Sequence, residues 1–205
     1  MKRFANRREA GRALAARLAG HPWHHPLVLG LPRGGVPVAK EVATALGAEL
    51  DVVVARKIGA PGRPEYGVGA VTADGEPIYD QRVLRALDLT EEHLAGTCDE
   101  ERAEAARRTA LYRGGRPLAI ADRDVIVVDD GLATGVTARA ALHWIGRHGP
   151  RSTTLAVPVA ARQSLASFGT TRVVAVLAPR NLQAVSRWYE TFDQTTDDEV
   201  LRALE

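Results

Sequence analysis

The chain has 205 residues, 45% of them hydrophobic, and a net charge of +2 from 27 basic and 25 acidic residues. That length suits one sizeable core with a small appendage, and the well-mixed charges offer no basic face for nucleic acid. The single cysteine, Cys98, excludes an internal disulfide and a multi-cysteine metal site; with no apolar run of membrane-span length and no signal-peptide core in MKRFANRREAG, a cytoplasmic location is expected.

Asn6 with Glu9 three residues later reads as an N-cap pair, and Leu14 and Leu18 mark the apolar face of a helix over residues 7–19 that Gly20 ends. The histidines around Trp23 are broken up by Pro22 and Pro26 and read as a connector. Pro26 to Leu31 reads as the first core strand. It runs straight into Pro32-Arg33-Gly34-Gly35, where adjacent glycines let the backbone approach a ligand and Arg33 adds a fixed positive charge. A helix follows from Val36 to Leu46, closed by Gly47.

Leu50 to Ala55 reads as a second buried strand that delivers Arg56 and Lys57 to its carboxyl end, either as anion ligands or as a solvated pair. Ile58 to Pro64 looks too rich in Gly and Pro for regular structure and is expected to be a loop. Tyr66–Ala73 and Glu76–Tyr79 flank Asp74-Gly75, a two-residue hairpin signal. Residues 80–117 read as a helical insertion, with a capping-box pattern at Thr97 and Glu100 and a favourable Glu104–Arg108 pair. Its end, Tyr112-Arg113-Gly114-Gly115-Arg116-Pro117, is either a mobile basic loop or a helix C-cap with an ordinary connector.

The most informative stretch is VIVVDDGLATGVTAR, residues 125–139. Val125 to Val128 read as a strand buried on both faces, with Asp129 and Asp130 at its carboxyl end, where open α/β sheets place ligands. The loop Ala133-Thr134-Gly135-Val136-Thr137 then opens a helix striped with Ala138, Ala141, Leu142 and Ile145. Amides at a helix N-terminus bind phosphate and carboxylates accept from sugar hydroxyls, so this spacing suits a phosphorylated sugar. Two more strands, Ser152–Val159 and Arg172–Leu177, flank a short helix from Arg162 to Phe168. The alternation predicts an α/β fold: a mainly parallel twisted sheet with helices on both faces. Residues 1–177 would form this core and 178–205 a small C-terminal hood.

This stretch resembles the phosphoribosyl-pyrophosphate (PRPP) binding motif of type I phosphoribosyltransferases, in which four apolar residues precede two acidic ones and a TG-x-T loop. The resemblance implies transfer of a 5-phosphoribosyl group to a nitrogenous base, with pyrophosphate released and Mg²⁺ as cofactor. It puts Asp129 and Asp130 on the ribose hydroxyls and, through water, near the metal; Ala133 to Thr137 on the 5-phosphate; and Arg33, Gly34 and Gly35, with Arg56 and Lys57, on the pyrophosphate. It also implies a non-proline cis peptide at or next to Arg33–Gly34, and a lid carrying Arg113 and Arg116. Trp188, Tyr189 or Phe192 would stack on the base or else form the hood's own packing. Hypoxanthine-guanine enzymes of the family carry an Asp where this chain has Ala133; the Ala-Thr-Gly form is nearer the adenine enzymes, so the base is left open. So is self-association. The alternatives are a PRPP-binding regulator without turnover and a nucleoside-monophosphate-binding protein.

Overall fold

The computed structural model describes residues 3–205. Its centre is a five-stranded parallel sheet of β1 (Leu27–Gly30), β2 (Glu49–Val52), β6 (Asp124–Val128), β7 (Ser152–Val159) and β8 (Arg172–Leu177), in the order β2-β1-β6-β7-β8. Strands β1 and β6 are buried along their whole length because they are central and covered on both faces, which is why Leu27–Gly30 and Val125–Val128 read as unbroken apolar runs. On one face α1 (Arg7–Leu18) and α2 (Gly35–Leu46) pack Leu14, Leu18, Val38 and Val42 against Val28, Ile126 and Val128. On the other, α5 (Val136–Gly146) packs Ala138, Ala141 and Ile145 against Leu29, Val127 and Leu155. The expected α/β architecture is present.

The strand order reverses direction between β1 and β6. From β1 the chain crosses through α2 to β2 on one side, and from β6 it proceeds through α5 to β7 on the other. Neighbouring carboxyl ends whose connections diverge leave a crevice there. The registers Gly30↔Val128 and Leu27↔Val125 bring the two loops leaving β1 and β6 side by side, and the Leu31 amide donates to the Val128 carbonyl at 2.8 Å.

Beyond β2 the structure departs from the sequence reading. The strand ends at Val52, and Arg56 and Lys57 lie in β3 (Ala55–Ala60), antiparallel to β4 (Arg63–Thr72). The expected loop over Ile58–Pro64 is thus a hairpin arm turning at Pro61-Gly62. Glycine is what permits it: Gly59 sits at a register shift where a Cβ would meet the Pro64 carbonyl oxygen at 2.5 Å, and Gly62 takes φ +69°. The Asp74-Gly75 hairpin is looser than expected, since β5 (Ile78–Tyr79) forms only two pairs with β4. This small sheet rests on α5 through Ala70, Val136 and Ala140.

The 80–117 segment is helical, as α3 (Gln81–Ala86) and α4 (Ala95–Arg113). Thr97 does not cap α4: burial of Leu94 and Cys98 against Ile58, Val68 and Val71 starts the helix earlier, behind a 3-10 turn at Glu92–Leu94. Glu104 does meet Arg108 at 2.6 Å and also Arg107, and the two guanidiniums pull its carboxyl down to about 2. A capping box forms instead at Thr196 and Glu199, opening α7 (Asp197–Leu204), which buries Val200 beside Val36, Ala105 and Tyr112. Between β7 and β8 lie α6 (Arg162–Leu165) and a 3-10 turn, Ala166–Phe168. Among the described residues no helix is long and apolar enough to cross a membrane.

Candidate functional site

Asp129 and Asp130 stand at the carboxyl end of β6, on the crevice between β1 and β6. Asp129 is held by the Asp130 amide, which donates to its Oδ1 at 2.8 Å. Burial, then the adjacent Asp130 carboxylate, raises the Asp129 carboxyl well above its usual range. Burial also raises Asp130, against the opposing pull of the Arg7 guanidinium. Two adjacent, poorly hydrated carboxylates are suited to polar hydrogens or a cation that relieves their repulsion.

The loop from β1 closes directly onto this pair. The Pro32–Arg33 peptide is cis, adjacent to the expected Arg33–Gly34 bond. A Cβ on Gly34 would overlap Asp130 Oδ2, and one on Gly35 would fall 2.6 Å from the Val128 carbonyl oxygen and 2.9 Å from Asp129 Cα. Both glycines are therefore required by close approach to the acidic pair. Arg33 faces Asp197 across 3.7 Å, and Asp197 also accepts from the Tyr112 hydroxyl at 2.5 Å; burial, then this bond, pushes that phenol up to about 12.

After the acidic pair, Ala133 and Thr134 are exposed, and Gly135 turns the chain into α5 with φ +73°. A Cβ at Gly135 would meet the Phe168 ring at 2.8 Å. No side chain caps α5, so the amides at Val136 and Thr137 retain their donors for an incoming anion. The loop is braced from behind: Ser164 Oγ donates to the Ala133 carbonyl, and Arg139 Nη1 donates to the Thr134 carbonyl at 3.3 Å while Nη2 pairs with Asp80 at 3.8 Å.

Other expected site residues are dispersed by the fold. Side chains alternate along a strand, so Arg56 and Lys57 cannot share a face. Arg56 turns to Glu101 of α4 at 2.7 Å, whereas Lys57 binds Glu65 at 3.1 Å and lays its stem over Gly67, beside Val136. Arg113 is not on a mobile loop: it ends α4, where Gly114 supplies a left-handed cap, and it pairs with buried Asp51 at 3.3 Å. Arg113 and Arg116 line a cavity of about 520 Å³ with Val52–Val54, Thr72 and Trp144, and no residue of the acidic pair, the phosphate-type loop or the Arg33 loop lines it. Tyr189 is buried against Phe4 and Phe192 and donates to the Asp130 carbonyl at 2.5 Å, so it packs the hood and supports the acidic loop. Trp188 and Phe192 belong to the same cluster.

One site residue left no trace in the sequence. Arg7, in the first turn of α1, donates from Nε to Asp130 Oδ2 at 2.9 Å and places Nη2 at the same distance. Its Nη1 donates to the Asp193 carbonyl at 2.7 Å, and its guanidinium lies 3.9 Å from the Phe192 ring centroid. Backbone bonds between Phe4–Ala5 and Trp188–Thr191 fix this arrangement. A signal for Arg7 could come only from contacts spanning 123 residues, since an arginine on a basic amphipathic helix is otherwise unremarkable.

The sequence pattern of the phosphoribosyl transferase domain matches residues 3–168. A Mycobacterium tuberculosis protein provisionally named a phosphoribosyl transferase is 41% identical over 208 residues, covering 100% of this chain and 47% of that protein. The chain thus spans about half the length of the curated relatives it matches. The crystal structure of TT1426 from Thermus thermophilus is 43% identical, with a TM-score of 0.82 over 98% of this chain and 97% of that one. The purine phosphoribosyltransferase of Pyrococcus horikoshii shares the fold at 16% identity, with a TM-score of 0.50 over 91% and 90% of the two chains.

Proposed function

The chain belongs to the phosphoribosyl transferase domain family, and from that premise we propose that it transfers the 5-phosphoribosyl group of PRPP to a ring nitrogen of a nitrogenous base. A carbon–nitrogen bond forms at C1 of the ribose as the bond from C1 to the pyrophosphate oxygen breaks. The observation that supports this reading is the packing of Gly34 and Gly35 onto Asp130 and Asp129, which gathers the Arg33 loop, the acidic pair and an uncapped helix N-terminus around one crevice.

In this reading Asp129 and Asp130 accept from the ribose hydroxyls and Ala133 to Thr137 bind the 5-phosphate. Arg33, Gly34 and Gly35 hold the pyrophosphate. Lys57, facing α5, serves the phosphate side; Arg56 serves the docking of α4. Arg113 and Arg116, which line a cavity with none of these residues, take no part in it.

Among the described residues no group of three or more acidic, His or Cys side chains is set to hold a metal. Two adjacent carboxylates alone fit Mg²⁺ arriving with PRPP, because this ion takes one or two carboxylates and completes its shell with phosphate oxygens and water. Asp129 and Asp130 would hold it there, and it would supply charge neutralisation for the departing pyrophosphate.

Calorimetric titration of PRPP with Mg²⁺ into the wild type and into D129N/D130N tests the reading. Micromolar binding weakened at least tenfold, about 1.4 kcal/mol, by the double change is expected. Pyrophosphate release on adding a panel of bases separates an enzyme from a PRPP-binding regulator. No PRPP binding by the wild type would overturn both.

A further inference from the structure

We propose that Arg7 is a pyrophosphate ligand that rests on Asp130 in the substrate-free chain and transfers to the pyrophosphate when PRPP binds; this rests on the reading above. The charge balance at the Arg33 loop asks for such a residue. A bound pyrophosphate brings several negative charges, yet the loop itself carries one cation, Arg33, and that cation already faces Asp197 at 3.7 Å. Arg56 is turned away to Glu101. Arg7, though distant in sequence, stands within reach: a Cβ on Gly34, in the middle of the loop, would lie 3.2 Å from its Nε.

The contact Arg7 makes now occupies one of the two Asp130 oxygens that the sugar would use. Its Nε and Nη2 both converge on Asp130 Oδ2 at 2.9 Å, the side-chain oxygen that also abuts Gly34. A ribose hydroxyl seeking that oxygen competes with a charged fork for the same lone pairs. Moving the guanidinium from Asp130 to an oxygen over Gly34 frees the carboxylate for the diol and keeps the arginine paired. The Phe192 ring and the Asp193 carbonyl hold the guanidinium beside Gly34, so the distance to be moved is short. Arg7 would thus oppose a ligand that has only the sugar and favour one that carries the pyrophosphate.

Two ligands that each carry half of PRPP read this directly. Ribose 5-phosphate and pyrophosphate with Mg²⁺, together with PRPP itself, are titrated calorimetrically into the wild type, R7Q and R7K, with thermal melts recording that each variant is folded. The expected result is a crossing: in R7Q ribose 5-phosphate binds at least threefold more tightly while pyrophosphate binds at least tenfold more weakly. R7K, which keeps the charge without the fork, should weaken pyrophosphate about threefold, and it carries the test if R7Q does not fold. Weakening of both half-ligands together would make Arg7 a support for Asp130 and overturn the proposal. No change in either, or a loss confined to ribose 5-phosphate, would overturn it equally. If the wild type binds neither half-ligand nor PRPP, the phosphoribosyl reading itself falls.

Discussion

Gly35 is where the two halves of the site touch through backbone alone. A methyl group there meets the Val128 carbonyl oxygen at 2.6 Å and Asp129 Cα at 2.9 Å, neither of which can rotate aside as a side chain would. Gly35→Ala is therefore expected to cost about 1–3 kcal/mol of stability, read by urea denaturation, and to weaken PRPP binding beyond what that loss implies. Asp129 presents the opposite balance. Its carboxyl is raised by burial and by Asp130, so the folded chain keeps a proton that the unfolded chain has lost above about pH 4. Stability therefore falls as pH rises from there through the raised value. Asp129→Asn, which retains an oxygen for the Asp130 amide, should flatten this dependence and raise the urea midpoint at neutral pH while abolishing tight PRPP binding. A midpoint that drops at neutral pH would show the carboxylate to be stabilising after all.

At the scale of elements, the β3–β4 arm shows how one strand boundary moves functional assignments. At the end of a strand, Arg56 and Lys57 would both face the ligand; inside a strand, one must face α4 and the other α5. Exchanging Arg56 for Ala should loosen α4 docking and leave Mg-pyrophosphate affinity within about twofold, roughly 0.4 kcal/mol, by the same titrations. The C-terminal helix α7 depends on local chemistry that its own residues supply. The Thr196 hydroxyl accepts from the Glu199 amide at 3.2 Å, and the Glu199 carboxylate accepts from the Thr196 amide at 2.8 Å. Thr196→Ala should cost about 1 kcal/mol and, by freeing Asp197, loosen the contact with Arg33; amide exchange across residues 197–204 would report it.

For the whole molecule, the reversal of strand order between β1 and β6 brings the acidic pair and the Arg33 loop to a single crevice, and the two chain ends close over it. The pairing of Phe4–Ala5 with Trp188–Thr191 sets Arg7 on Asp130, and α7 sets Asp197 on Arg33. A ligand bound by all these parts stabilises the fold by mass action. PRPP with Mg²⁺ at a hundred times its dissociation constant should contribute about 2.7 kcal/mol, a rise in melting temperature of roughly 5–11 °C for a chain of this size. D129N/D130N should show almost none of that rise.

Much of this was legible in the order of residues. Val125 to Val128 read as a central strand with the acidic pair at its carboxyl end, and a glycine before an apolar helical stripe read as the opening of a helix. Such features depend on neighbours a few positions away, where backbone sterics and burial periodicity act. The hairpin at Ile58–Pro64 was not legible, because its glycines signal a loop until a partner strand is known to approach them. Tyr189 could be a stacking platform or packing until Phe4 was seen against it. Arg7, Asp197 and the anchoring of Arg113 on Asp51 are pairings of charges 62 to 164 residues apart, between Arg113 and Asp51 and between Arg33 and Asp197 at those limits. Charges carry no periodicity that announces a partner, so only the tertiary structure, by bringing the chain ends over the sheet, decided which of many arginines meets the acidic pair.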